Sequence, residues 1–406
     1  MLLEYFTSVE EGLLEKRVAS PDDWSARKTF ILELVRLGKR LYSGEEPVAW
    51  CGVAAPFDLL NSLGVTSCFI EFVGAMLASV GAVAPYLQMA EQKGHGRDTC
   101  GFHRAVIGAA HRGQMPVPEF LVATSTPCTA GMAAVEELAA IFDKPLFVLQ
   151  VPQTAAEENV AFLADQLRAL TAFAENHLGR KLDAETLRDT MQKTNEIRAL
   201  MLEMYQLARH VPSPANGKSL RNLGFILPLL MGRDEGLVVA RARVDELARR
   251  VKAGQAGVPG EKPRLLWVQT RIQYRHPLLE WLEKEHKASI VVDELNDVWW
   301  DPIDLDDPYS GMARRTIGLP LNGPASARIN RMLQLAREYR VDGVINPCHW
   351  GCRQGTGVRG LVQKGFASIG LPVLNLETDC ADPRNFSEGQ VRTRIEAFLE
   401  MLGDRE

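Results

Sequence analysis

Short apolar runs that end at a cysteine or lead straight to one recur at both ends of this 406-residue chain, and they restrict its fold more than any other feature. Pro47-Val-Ala-Trp50 ends at Cys51, and Pro118–Thr124 leads through Ser-Thr-Pro to Cys128. Val341–Ile345 leads to Cys348 and Cys352, and Val373–Leu376 leads to Cys380. Runs this short and this apolar read as buried parallel strands, and Val358–Ile369, between the last two, reads as a crossover helix. In an open α/β sheet the carboxyl ends of the strands form the ligand-binding edge. Thiols delivered repeatedly to that edge point to chemistry rather than packing.

The rest of the chain supplies further units of the same kind. Ala133–Ile141 and Leu146–Val151 read as helix and strand, and Arg264–Gln269 and Ser289–Asp293 as strands around a helix His276–Lys287. Phe72–Leu87 reads as one buried helix, and Phe102–His111 as a helix that opens just after Cys100. Trp299–Tyr309 is an irregular acidic excursion, and Arg328–Tyr339 a helix. Between residues 155 and 255 the pattern turns helical: Val160, Leu163, Leu167 and Leu170 trace one face, and Asp183 fits an N-cap. Gly254–Pro263 has the composition of a linker. The expected division is an N-terminal helical segment 1–46, a first α/β domain 47–154, a helical domain 155–258, and a second α/β domain 259–406 closed by a helix over Gly389–Leu402. The fold class is therefore α/β, with two Rossmann-like (flavodoxin-like) parallel-sheet domains and a helical domain.

Composition narrows the function. Hydrophobic content of 46% and charged content of 24% are those of a soluble globular protein. A net charge of −5 leaves no basic footprint, so nucleic acid is not expected as a partner. The N-terminus lacks the basic and apolar regions of a signal peptide, and no apolar stretch approaches the ~20 residues that span a bilayer. A cytoplasmic location with no membrane partner is expected, and structural disulfides are a poor default there.

Seven cysteines stand at 51, 68, 100, 128, 348, 352 and 380. Structural zinc takes paired cysteines close in sequence; Cys348 and Cys352 form one such pair, and no second pair follows. Single thiolates gathered from distant strand ends suit an iron–sulfur cluster in a cleft. Cys68, inside the apolar run Val65–Val73, reads as core. His103 beside Cys100, and His349 between Cys348 and Cys352, are candidate proton donors or hydrogen-bond partners of sulfur. Glu71 lies in an apolar stretch, so it is either paired, with Arg104 as a partner, or a proton carrier. Gly355-Thr-Gly357-Val-Arg-Gly360 matches a dinucleotide fingerprint, but Pro347–Gln354 intervenes between it and its strand, so the glycines are read as room for a helix to start close to a ligand. No phosphate-binding G-x-x-x-x-G-K-[ST] loop occurs, and the chain is not expected to hydrolyse ATP itself.

Together these residues carry a resemblance. The order Cys51, Pro56, Cys100, Cys128, Pro152, then Gly370-Leu-Pro-Val-Leu, Gly389-Gln and Thr393–Leu402, resembles the iron–sulfur subunits of 2-hydroxyacyl-CoA dehydratases and ATP-dependent benzoyl-CoA reductases. Cys348-His-Trp-Gly-Cys352 and Asp379-Cys380 are similar to the double-cubane branch of that superfamily. The resemblance implies that Cys51, Cys100, Cys128, Cys348, Cys352 and Cys380 hold an [8Fe-9S] double cubane; Glu71, His103 and His349 stand as catalytic candidates on their own positions in the sequence, with a structural hydrogen-bonding role as the alternative for the histidines. It implies an oxidoreductase that accepts electrons from a separate ATP-hydrolysing iron–sulfur reductase and reduces a small molecule or acyl-CoA, working as a homodimer or with a homologous subunit. The alternative it implies is a 2-hydroxyacyl-CoA dehydratase subunit (a lyase) with a [4Fe-4S] cluster on three cysteines. A zinc-binding or scaffold protein of the same fold is the rival outside redox chemistry.

Overall fold

A computed structural model describes residues 2–220 and 222–403. Two four-stranded sheets organise it, and every strand pairing is parallel. The first holds β1 (Val48–Cys51), β2 (Thr66–Phe69), β3 (Phe120–Thr124) and β4 (Leu146–Leu149) in the order β2-β1-β3-β4. The second holds β5 (Arg264–Trp267), β6 (Ser289–Asp293), β7 (Gly343–Asn346) and β8 (Val373–Asn375) in the order β6-β5-β7-β8. In each sheet the winding reverses beside its first strand, and a crevice opens there at the carboxyl ends.

The strands are short because both faces are covered. Every side chain of β1 and β3 is buried, so their apolar sequences need helices above and below. The helix Thr129–Phe142 packs on β3, and the main core runs from Val48 through Leu265 and Ile345 to Ile395 and Phe398 of the closing helix Glu388–Gly403. Glu157–Leu178, Ala184–Ala208 and Asp234–Lys252 form the helical middle of the chain. Asp183 caps the second of these by accepting from the N–H groups of Glu185 and Thr186 at 2.9 and 3.2 Å. Among the described residues no helix is long and apolar enough to cross a membrane.

Several local expectations need correction. Phe72–Leu87 is two helices, Glu71–Ser79 and Ala84–Gln92, because Gly81 turns left-handed at φ 79° and Pro85 opens the second. β2 hides in the run Val65–Val73, where strand and helix share one unbroken apolar sequence. The excursion after Trp299 ends in a helix, Pro308–Ile317, capped by Asp307. The crossover before β8 is a short turn of helix, Arg353–Thr356, followed by Arg359–Ala367.

Two contacts bring the loops of the second sheet against those of the first. Gly351 has φ 70°, and a Cβ there would lie 2.3 Å from the Cys100 nitrogen, so only glycine lets this loop approach. Deeper in, Arg104 is 1% exposed and reaches Asp379 at 3.2 Å and Asp382 at 3.3 Å, while Arg384 binds Glu91 at 2.5 Å.

Candidate active site

A cavity of about 150 Å³ lies at the carboxyl ends of β1, β3, β5 and β7. Its polar lining includes Cys100, Cys128, Cys352, Glu71, His103 and His349 together with amide side chains such as Gln269 and Gln273, and Phe69, Phe72 and Phe102 are among its apolar walls.

The three cavity cysteines share a position in the fold. Cys100 is the N-cap of the helix Gly101–His111, Cys128 of Thr129–Phe142, and Cys352 of the turn Arg353–Thr356. The two longer helices point their positive ends at sulfur, which favours thiolate. Each sulfur also faces one N–H donor. His349 Nε2 lies 3.3 Å from Cys100 Sγ, the Gly131 N–H is 3.3 Å from Cys128 Sγ, and Gln269 Nε2 is 3.6 Å from Cys352 Sγ. Burial works against ionisation, lifting the Cys100 thiol well above its ordinary range and the Cys128 thiol to about 11. A bound cation would reverse that balance.

The other three predicted ligands are placed differently. Cys51 still belongs to the ladder of β1, opposite Phe69 and Val122, and its thiol faces the Ala49 carbonyl at 3.7 Å. Cys380 faces the Thr270 carbonyl at 3.8 Å, and Cys348 faces Asn375 Oδ1 at 3.4 Å. All three sulfurs thus meet oxygen, the arrangement of a protonated thiol donating a hydrogen bond, and none lines the cavity. Burial pushes all three thiols up, Cys348 to about 11. Cys68 is fully buried in β2, in the core as expected.

His349 has a fixed tautomer. The Cys380 N–H donates to its Nδ1 at 2.9 Å, so the ring proton sits on Nε2 and points at Cys100. Burial, with His103 and Arg104 nearby, lowers the His349 pKa to about 3, so the ring is neutral. This geometry suits a donor that holds sulfur in place rather than one that passes protons. Behind it, burial raises Asp379 to about 6 even though the Ala381 and Asp382 N–H groups and Arg104 all donate to it.

Glu71 pairs with His103, not with Arg104. His103 Nε2 lies 2.9 Å from Glu71 Oε1, and Glu71 Oε2 has no partner. A Cβ on Gly131 would sit 3.4 Å from Cys128 Sγ, 3.5 Å from Glu71 Oε1 and 3.6 Å from His103 Nε2, so the sulfur and the carboxylate–imidazole pair border the same point.

Gln269 escaped the sequence reading. It follows β5 with φ 59°, a strained turn that aims its amide at Cys352 and leaves its Oε1 buried and unpartnered. Gly355, the first glycine of the apparent fingerprint, packs against that amide: a Cβ there would lie 2.4 Å from Gln269 Oε1. Among the described residues no three His, Cys, Asp or Glu side chains converge on a point that one metal ion could fill. The sulfurs surround a space instead.

A family model described as the 2-hydroxyglutaryl-CoA dehydratase D-component matches residues 53–402. The chain belongs to that family. It is 24% identical to the (R)-phenyllactyl-CoA dehydratase alpha subunit of Clostridium sporogenes over 88% of this chain and 90% of the relative. It is also 24% identical to the alpha subunit of lactoyl-CoA dehydratase of Anaerotignum propionicum, over 88% and 91%. It is 23% identical to a benzoyl-CoA reductase subunit of Thauera aromatica, over 86% and 85%. The matched region contains every cavity residue named above, from Phe69 to Cys352.

Proposed function

We propose that this chain is the iron–sulfur subunit of a 2-hydroxyacyl-CoA dehydratase, with a [4Fe-4S] cluster on Cys100, Cys128 and Cys352 and the Glu71–His103 pair beside it. The observation that carries this reading is the split among the cysteines: the three that line the cavity each accept an N–H, and the three that do not line it each face oxygen. Soft thiolates spread around a space fit a cluster better than a single ion. Cys100, Cys128 and Cys352 would hold such a cluster, and it would supply a low-potential electron and Lewis-acid chemistry at the substrate.

The chain's own residues supply the rest. Dehydration of a 2-hydroxyacyl thioester removes a hydroxyl from C2 and a proton from C3. Glu71, with one oxygen held by His103 and the other unpartnered, is placed to take that proton, and His103 orients it. The aromatic walls keep bulk water away. His349 and Gln269 hold two of the sulfurs from loops of the second sheet.

The system-level part of the reading follows the relatives, each of which is named as a subunit. A separate ATP-hydrolysing reductase delivers the electron, and a second related subunit, or a second copy, completes the enzyme in the cytoplasm. Each sheet, with its first strand second in spatial order, is read as a flavodoxin-like unit of the domains 47–154 and 259–406, with 1–46 and 155–258 as the helical parts.

One observation favours a double cubane and reductive chemistry instead. His349 spans the two sets of cysteines, accepting the Cys380 N–H at Nδ1 (2.9 Å) while its Nε2 faces Cys100 Sγ at 3.3 Å, so the outer cysteines are not remote from the inner ones.

The test is anaerobic turnover of 2-hydroxyacyl-CoA esters with ATP and an ATP-hydrolysing reductase, comparing wild type with Glu71→Gln. The dehydratase reading expects the variant to keep its iron and lose turnover. Full turnover by the variant, or iron retained after Cys100, Cys128 or Cys352 is replaced, would overturn it.

A further inference from the structure

A second cavity, of about 100 Å³, lies beside the first. The two share Val53, Leu295 and Leu321 as a common wall. The second cavity alone is lined by Ala54, Ala55, Phe57, Met231, Trp299 and Trp300. An enclosed apolar space of roughly 150 Å³ takes a benzene ring. This one has room for a branched aliphatic end or most of a phenyl group.

Its electrostatics are as selective as its shape. Arg315 is the one cation among the described lining residues, and both of its terminal nitrogens are bound to Asp58 at 2.7 Å. The Leu59 N–H and the Thr194 hydroxyl complete Asp58 at 3.1 and 3.3 Å. The pair is closed on itself, so a carboxylate entering this space would find no free positive charge. A buried apolar group would displace only weakly held water.

We infer that the second cavity receives the far end of the acyl chain and selects uncharged, branched or aromatic acyl groups over short or carboxylated ones. This rests on the reading of the site as one for CoA thioesters. The reacting carbons then lie near Glu71 and the three sulfurs, and the chain passes across Val53 and Leu321 into the space beneath Trp299 and Trp300. Ala54 and Met231 line only the second cavity, so they set the size of the acyl end without touching the sulfurs.

The test is calorimetric titration of the full-length, anaerobically purified protein with 3-phenylpropanoyl-CoA, 4-methylpentanoyl-CoA, acetyl-CoA and glutaryl-CoA. The two bulky apolar thioesters are expected to bind at least about tenfold tighter than the other two. Ala54→Phe should abolish that advantage and leave acetyl-CoA within about twofold. Met231→Ala should shift preference toward the phenyl chain, and it decides the matter if Ala54→Phe does not fold. Equal binding of all four thioesters, or variants that change all four alike, would overturn the acyl cavity and leave the thioester reading intact. Binding of none would overturn both.

Discussion

His349 Nε2 stands 3.3 Å from Cys100 Sγ, and because the Cys380 N–H occupies Nδ1, the hydrogen between them belongs to the histidine. The contact joins a loop after β7 to a helix N-terminus of the first sheet, so it couples the two halves of the molecule at a sulfur. An N–H donated to a ligand sulfur stabilises the more negative, reduced state of a cluster. His349→Leu should therefore lower the reduction potential. One hydrogen bond of about 1 kcal/mol corresponds to roughly 40 mV for a one-electron couple. Redox titration followed by EPR checks this, and an unchanged potential would rule out the contact in the loaded protein.

Glu71 and His103 act as a pair in this account, so their losses should not add. Glu71→Gln and His103→Phe should each cut turnover by about 10² or more, and the double variant should be little worse than Glu71→Gln alone. Iron content should stay at the wild-type level in all three. Multiplicative losses would mean that the two side chains work independently.

Asp58 is fully buried and its partner Arg315 is 13% exposed, so truncating Arg315 strands a desolvated carboxylate and truncating Asp58 strands a largely buried cation. Asp58→Asn should cost roughly 3–5 kcal/mol at neutral pH. Burial pushes the Asp58 pKa up, but Arg315 and the Leu59 and Thr194 donors outweigh it and hold the carboxyl below its ordinary range. Its stabilisation is therefore complete above the ordinary carboxylate pKa and fades as pH falls through the lowered one. Urea unfolding curves of wild type and variant should be far apart at pH 7 and converge in acid. A constant gap across pH would contradict the ion pair.

Gly108 lets the helix Gly101–His111 cross Ala84–Gln92 at backbone contact. A Cβ there would lie 1.9 Å from the Tyr86 carbonyl oxygen. Gly108→Ala should destabilise the protein by roughly 1–3 kcal/mol despite the better helix propensity of alanine. Thermal unfolding that rises instead would show that the helices can part at no cost.

The sequence carried the α/β class because buried parallel strands leave short apolar runs, and cysteines after those runs marked the correct sheet edge. It could not say which thiols face the cavity. Cys51 is the last residue of a paired strand, whereas Cys128 lies four residues past the end of β3 and caps a helix, and that difference depends on where the ladder stops. β2 was invisible because Thr66–Phe69 runs without a break into an apolar helix. Gln269 gave no local signal: its role comes from a positive φ and from Cys352, far away in sequence. Glu71 was singled out correctly as a carboxylate in an apolar stretch, but its partner was misjudged, since His103 and Arg104 are neighbours that diverge on one helix.

The central claim is that Cys100, Cys128 and Cys352 alone hold the cluster. Iron and acid-labile sulfide per chain, measured anaerobically on wild type and on a variant with Cys51, Cys348 and Cys380 all replaced by alanine, tests it most directly. About four irons and four sulfides in both proteins is the predicted result. About eight irons in the wild type, falling when the three outer cysteines are removed, would contradict the claim and establish the six-thiolate site in its place.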